Sequence, residues 1–96
     1  MDVNVAELES VARDLKRYAG DINDMKAKLH DVSGNVENVW QSQYTGSYID
    51  SLDNTEKRLD KLSGDVVSVS NRLDSLARQI REMEERLRRQ MANQNG

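Results

Sequence analysis

The stretch Val39-Trp40-Gln41-Ser42-Gln43-Tyr44-Thr45-Gly46-Ser47-Tyr48 decides the fold, because a regular apolar repeat runs up to it, fails inside it and resumes after it. Upstream, alternating steps of three and four from Leu8 land on Val11, Leu15, Tyr18, Ile22, Met25, Leu29, Val32, Val36 and Val39. Downstream, the same stepping from Tyr48 lands on Leu52, Thr55, Leu59, Leu62, Val66, Val69, Leu73, Leu76, Ile80, Met83 and Leu87, with Thr55 the one polar residue. In a chain only 36% apolar, such a sustained 3.5-residue repeat predicts two helices that coil around a partner surface. Strands would need period two, which is nowhere sustained. Between the two series Gln43 falls where an apolar residue is due. Thr45 or Ser47 can cap the second helix, with Asp50 and Asp53 near its first turn. The chain has no proline, so a continuous helix through 41–46 is the competing reading; the break in the repeat favours a turn.

The expected architecture is therefore all-α, a single antiparallel two-helix hairpin over 1–96. Helix one covers about 4–40, the turn about 41–46, helix two about 47–91, and 92–96 form a frayed polar tail. Folding back at the turn sets Val39 against Tyr48, Val36 against Leu52, Val32 against Thr55, Leu29 against Leu59 and Leu8 against Ile80. Helix two then overhangs, leaving Met83, Leu87 and Met91 without a partner in their own chain. The pairs Glu82–Arg86, Glu84–Arg88 and Glu85–Arg89 have the i,i+4 spacing that supports an exposed helix.

A second lateral face on helix one carries Ala12, Ala19, Gly20, Ala27, Ser33 and Gly34, with a weaker counterpart of Ser63, Gly64, Ser70 and Ala77 on helix two. Glycine inside a helix costs about 1 kcal/mol relative to alanine. Two of them on one face suggest close approach of another backbone, and tolerated surface glycine is the plain alternative. The expected partner interface is thus Ala12, Ala19, Gly20, Ala27 and Gly34 with Met83, Leu87 and Met91. Docking of two hairpins there would make a four-helix bundle.

Composition narrows the function classes. A chain of 96 residues with 4% aromatic residues and a mean hydropathy of -0.83 has little apolar surface to bury, and oligomerisation is the usual remedy. With no cysteine there is no disulfide, thiolate nucleophile or cysteine-based zinc site. The single histidine, His30, sits beside Leu29 on the outward side of its helix and reads as a solvated surface residue. No glycine-rich phosphate loop follows a strand. A net charge of -3 gives no encouragement to nucleic-acid binding, and in Arg78–Arg89 five arginines are interleaved with three glutamates, a solvated, ion-paired pattern. No apolar run reaches the length of a membrane span, and no N-terminal apolar segment marks a secretory signal peptide. The expectation is a non-enzymatic interaction protein without cofactor or metal.

About a hundred residues, two long helices and a mid-chain Trp resemble the WXG-motif family of small helical proteins associated with type VII (ESX or Ess) secretion. The resemblance covers essentially the whole chain and is most specific over Val39–Tyr48. In that family Trp ends the first helix and a Gly two residues later makes the turn. Here Ser42 occupies that position, so the motif, Trp40, Ser42 and Gly46, is degenerate, and Gly46 is the candidate for the flexible role. Trp40 reads as a plug closing the end of the hairpin near Tyr44 and Tyr48, and the resemblance implies that it also contributes to a recognition surface. Many exported members carry a C-terminal Tyr followed four residues on by Asp or Glu. Tyr18, Tyr44 and Tyr48 are followed at that distance by Ile22, Tyr48 and Leu52, so a partner would supply the signal. The resemblance implies a homodimer, or pairing with another small hairpin or an effector's N-terminal domain, in contact with the secretion machinery. It also implies a cytoplasmic chain that is then secreted or placed at the cell surface. The other reading is an intracellular coiled-coil adaptor or spacer unrelated to secretion; a continuous rod would favour it.

Overall fold

The computed structural model describes residues 4–95 and consists of two helices, α1 (Val5–Val39) and α2 (Thr45–Asn95), packed antiparallel. The hairpin measures 82 × 15 × 15 Å, with a radius of gyration of 22.7 Å. A globular chain of this length would have a radius near 12–13 Å. The molecule is a rod one helix pair thick, and it cannot enclose a core.

Helix α1 starts where the Asn4 side chain accepts a hydrogen bond from the Glu7 amide at 3.2 Å. That cap satisfies one of the free N–H groups, and the Glu7 carboxylate complements the helix dipole. The helix ends at Trp40, whose backbone is extended (φ -116°, ψ 106°) while its N–H still donates to the Val36 carbonyl at 2.9 Å. The segment 41–44 then reverses the chain through hydroxyl groups. Thr45 Oγ1 donates to the Trp40 carbonyl at 2.9 Å and accepts from the Ser42 amide at 3.0 Å. Ser42 Oγ accepts from the Tyr44 amide at 3.1 Å. Among the described residues none has a positive φ, so this turn needs no glycine. Gly46 lies inside the first turn of α2, and the flexible role expected of it is not used: the two hydroxyls close the reversal at ordinary backbone angles. Thr45→Val is expected to remove both of its hydrogen bonds and to lower stability by about 1 kcal/mol. That corresponds to a fall of roughly 4–8 °C in melting temperature for a chain of this size, readable by circular dichroism.

Helix two begins two residues before its expected start and runs to Asn95, so the tail expected to fray from 92 is helical as far as that residue. Position 96 lies outside the described residues. Of the three expected i,i+4 pairs on the overhang, Glu85–Arg89 closes at 2.9 Å, and the other two are not ion-paired in this conformation.

The expected register holds at the open end. Leu8 packs there against a cluster of Val5, Ala77 and Ile80, whereas at the turn it is Trp40 that meets Tyr48, and Val39, the residue expected there, is 82% exposed. What differs is the set of residues on the seam. The contact is centred on a column of small residues, Val5, Ala12, Ala19 and Ser33 on α1 and Ser63, Ser70 and Ala77 on α2, all buried. Ser70 Oγ donates to the Ala12 carbonyl at 2.7 Å, and Ser63 Oγ donates to the Ala19 carbonyl at 3.3 Å. A serine side chain of one helix can reach a backbone carbonyl of the other only if the helices approach closely, and side chains no larger than Ala or Ser permit that. These bonds also satisfy hydroxyls that would otherwise be buried without partners. Lys26 and Glu56 take the equivalent positions in the middle of the rod, where the column turns polar.

Candidate functional site

Close approach along the small column has a consequence for the larger residues. Leu8, Leu15, Ile22, Leu29 and Val36 on α1, and Leu52, Leu59, Val66, Leu73 and Ile80 on α2, lie three residues on from the small column and are buried or half-buried. The remaining stripe residues each precede a small-column residue by one, about 100° round the helix. These are Val11, Tyr18, Met25 and Val32 on α1 and Leu62, Val69 and Leu76 on α2, all 44–50% exposed. Half of the stripe that the heptad pattern assigned to the hairpin seam therefore faces solvent. The apolar arc is three columns wide on each helix, and an antiparallel pair uses two of them. The third columns of the two helices lie on the same face of the rod and form one continuous apolar surface along it. Soluble monomers seldom leave so extended an apolar surface open.

The opposite face is ionic. Lys16 Nζ lies 3.1 Å from Asp74 Oδ2, Lys26 Nζ lies 2.8 Å from Asp60 Oδ1, and Arg81 pairs with Glu9. His30 Nδ1 stands 3.4 Å from the Glu56 carboxylate, a pair that attracts only when the imidazole is protonated. These residues are four positions on from the small column, or within it, and so flank the seam on the side away from the apolar face. Exposed pairs of this kind contribute at most about 1 kcal/mol each. Their role is to fix which helix face meets which.

The expected interface residues divide between these environments. Ala12 and Ala19 are 0% and 3% exposed because α2 of the same chain covers them; their expected contact with a second chain is corrected to a contact within the hairpin. Gly20, Ala27 and Gly34 are exposed. Each follows a residue of the open apolar column by two positions, about 200° round the helix, so they do not join that surface. A Cβ built on Gly20 or Gly34 would meet nothing within 4 Å. Gly20→Ala is accordingly expected to stabilise the helix by about 0.5–1 kcal/mol, with the association constant unchanged. Met83 is half-buried at the end of the paired region, whereas Leu87 and Met91 on the overhang are 52% and 64% exposed.

At the turn, Trp40 stacks edge-on against Tyr48, with ring centroids 5.5 Å apart and an interplanar angle of 72°. The indole covers the end of the seam as expected, but its partner is Tyr48; Tyr44 projects into solvent. Trp40 itself remains 40% exposed, and Val39 beside it is 82% exposed. The tip is thus an aromatic cluster continuous with the open apolar face.

Among the described residues no group of three His, Cys, Asp or Glu side chains is arranged to hold a metal ion. No described helix is long and apolar enough to cross a membrane. A shallow hollow on the ionic face is lined by Lys26, Asp53, Glu56, Lys57 and Asp60; Lys26 and Asp60 form a cross-helix pair there, and Glu56 stands opposite His30.

No protein-family model matches the chain, and no curated protein sequence matches it. Among solved structures it is similar to the crystal structure of EsxA from Geobacillus thermodenitrificans, with a TM-score of 0.83 and 17% identical residues. The match covers 93% of this chain and 99% of that one. At that identity the likeness is one of fold: the chain is an all-α antiparallel two-helix hairpin built on the same plan as EsxA.

Proposed function

We propose that this protein is a type VII secretion-associated small helical protein that acts by packing its open apolar face against a second hairpin. The single observation that supports this most is the third apolar column. Seven large side chains at 44–50% exposure along one face are a surface built to be covered. The Trp40 turn resembles that of the WXG-motif family associated with type VII secretion, and the fold is that of EsxA; both support the association with secretion. The partner is a second copy, or the helical hairpin of another small protein or effector, and the chain travels as a dimeric substrate or as an escort. The aromatic tip around Trp40 is the surface that the secretion machinery or the partner reads. On this reading the chain is made in the cytoplasm and exported without a cleaved signal peptide. The work is helix packing and involves no catalysis.

The rival reading, an intracellular coiled-coil spacer, drew its support from a continuous rod. The reversal at 41–44 removes that support. Export is tested by following the tagged chain in its native host with and without an intact type VII secretion ATPase. The proposal expects the protein in the culture medium to fall to background when the ATPase is lost. Equal amounts in both media would contradict it.

A further inference from the structure

We infer that the hairpin is jointed at a polar layer in mid-rod, and that its turn half, residues 27–60, opens as a unit while the base half stays closed. The inference concerns the seam within one chain and goes beyond the proposed docking of the apolar face.

Burial along the seam is lopsided. Val5, Ala12, Ala19 and Ile22 on α1 and Ser63, Ser70, Ala77 and Ile80 on α2 are buried, and all lie on the base side of the layer. Nearer the turn, among the described residues, the buried one is Ser33, which is polar. Both serine-to-carbonyl bonds that tie the helices at close approach, Ser70 to Ala12 and Ser63 to Ala19, belong to the base half as well. In the turn half Leu29, Val36, Leu52 and Leu59 are only half-covered.

The layer itself interrupts the close seam. Lys26 and Glu56 take column positions that Ala and Ser hold in the base half, and side chains of that length do not fit a seam closed on such small residues. Lys26 turns outward to Asp60 at 2.8 Å. The Glu56 carboxylate stays mostly covered, and its Oε1 is buried without a hydrogen-bond partner. His30 Nδ1 stands 3.4 Å from that oxygen. A buried polar atom without a partner weakens the closed state, and this one sits at the boundary between the halves.

Local sequence weakens the turn half further. The last two turns of α1, Val32-Ser33-Gly34-Asn35-Val36-Glu37-Asn38-Val39, hold seven poor helix formers in eight residues. On α2, level with their start, Thr55 Oγ1 donates to the Ser51 carbonyl at 3.0 Å, a back-bond that competes with the helix. Segments with few buried apolar contacts open at lower free energy than the whole molecule. Opening at the layer frees Leu29, Val36, Leu52 and Leu59, together with Trp40, for whatever engages the tip. The seam between Ala12 and Ser70 remains shut.

Native-state hydrogen exchange of the full chain, followed residue by residue by NMR, tests the joint. Amides of 29–38 and 50–58 are expected to exchange at least about tenfold faster than those of 12–22 and 66–80, with similar protection on both helices and a step across the layer. Protection that is level along the rod would overturn the inference. A smooth decline toward the turn would overturn it too, because that is fraying without a joint. In a second measurement, Glu56→Ala removes the unpartnered oxygen and restores a small residue to the column. Exchange in the turn half should then slow about tenfold, the relief of one buried polar atom, with the base half unchanged. Turn-half exchange as fast as in the parent, or faster, would show that the layer is not the joint. Light scattering on the same samples reports whether a second hairpin covers the apolar face, so failure of docking is read separately from failure of the joint.

Discussion

Leucine in place of Ala12 is expected to break the hairpin. Ala12 is fully buried, and its carbonyl accepts the hydroxyl of Ser70, itself fully buried, at 2.7 Å. There is no space at that point for three further carbons, and the helices must separate to admit them. Overpacking of this kind costs about 1–3 kcal/mol, and the stretched Ser70 hydrogen bond forfeits about 1 kcal/mol more. A combined loss of about 2–4 kcal/mol is a large share of the stability of any small domain, and a rod without an enclosed core has little in reserve. Far-ultraviolet circular dichroism during heating should show a melting temperature lower by 10 °C or more, about 4–8 °C for each kcal/mol. A conservative Ala12→Ser substitution should be far milder. If Ala12→Leu melts within a few degrees of the parent, the small column is not the seam.

The second large effect lies on the adjoining column and separates folding from association. Val69→Asp with Leu76→Asp puts two carboxylates at positions that are 47% and 44% exposed in the single hairpin. Water still reaches both groups there, so the hairpin should keep most of its helicity. In the bundle the same carboxylates would be buried against apolar side chains with no partner, which is costly for any charge. Dimerisation should weaken by at least about a hundredfold, the equivalent of roughly 3 kcal/mol. Sedimentation equilibrium would read the change. Full dimerisation of this variant would mean that partners dock elsewhere. The same two substitutions at seam positions such as Ser70 and Ala77 should instead unfold the chain, and the contrast between neighbouring columns is the distinctive expectation.

The hairpin itself was legible because the repeat is strict and fails at one place. The steps from Leu8 to Val39 and from Tyr48 to Leu87 predict two helices, and the misfit at Gln43 locates the reversal to within two residues of where Thr45 opens α2. The pairing of Leu8 with Ile80 followed from that alone; at the turn the stepping set Val39 against Tyr48, whereas Trp40 meets Tyr48 and Val39 is 82% exposed. The seam was harder to read, for a physical reason. A heptad stripe of large residues and an adjacent column of Ala and Ser both have period seven, and either can face the partner helix. Periodicity identifies the columns; depth of approach decides which one closes the pair. Ser63 and Ser70 held the deciding signal, since each can donate to a backbone carbonyl across a close seam and neither contributes to a wide apolar one. Lys26 and Glu56 went unrecognised for the same cause. Charged residues within the small column look like surface until that column is known to be the seam.

The turn shows a similar limit. A degenerate motif with Ser42 where glycine is expected invites a search for another glycine, and Gly46 is near. Reversal at negative φ throughout, held by the hydroxyls of Ser42 and Thr45, makes that search unnecessary. The spacing of a Ser and a Thr three residues apart, directly after a helix-ending Trp, was the available signal. Exposure of Trp40 and Tyr44 could not be read from spacing, because it depends on which column closes the seam.

The central claim is that the open apolar face binds a second hairpin, and a second copy of this chain is the partner that can be tested with the purified protein alone. The measurement that tests it most directly is the solution mass of the purified chain by light scattering over a dilution series. The account predicts about 22 kDa, two chains of 11.0 kDa, giving way to a single-chain mass only at high dilution. A mass of 11.0 kDa at every concentration, with helicity unchanged, would contradict it, for it would mean that the third apolar column is stable in water without a second hairpin of this chain to cover it.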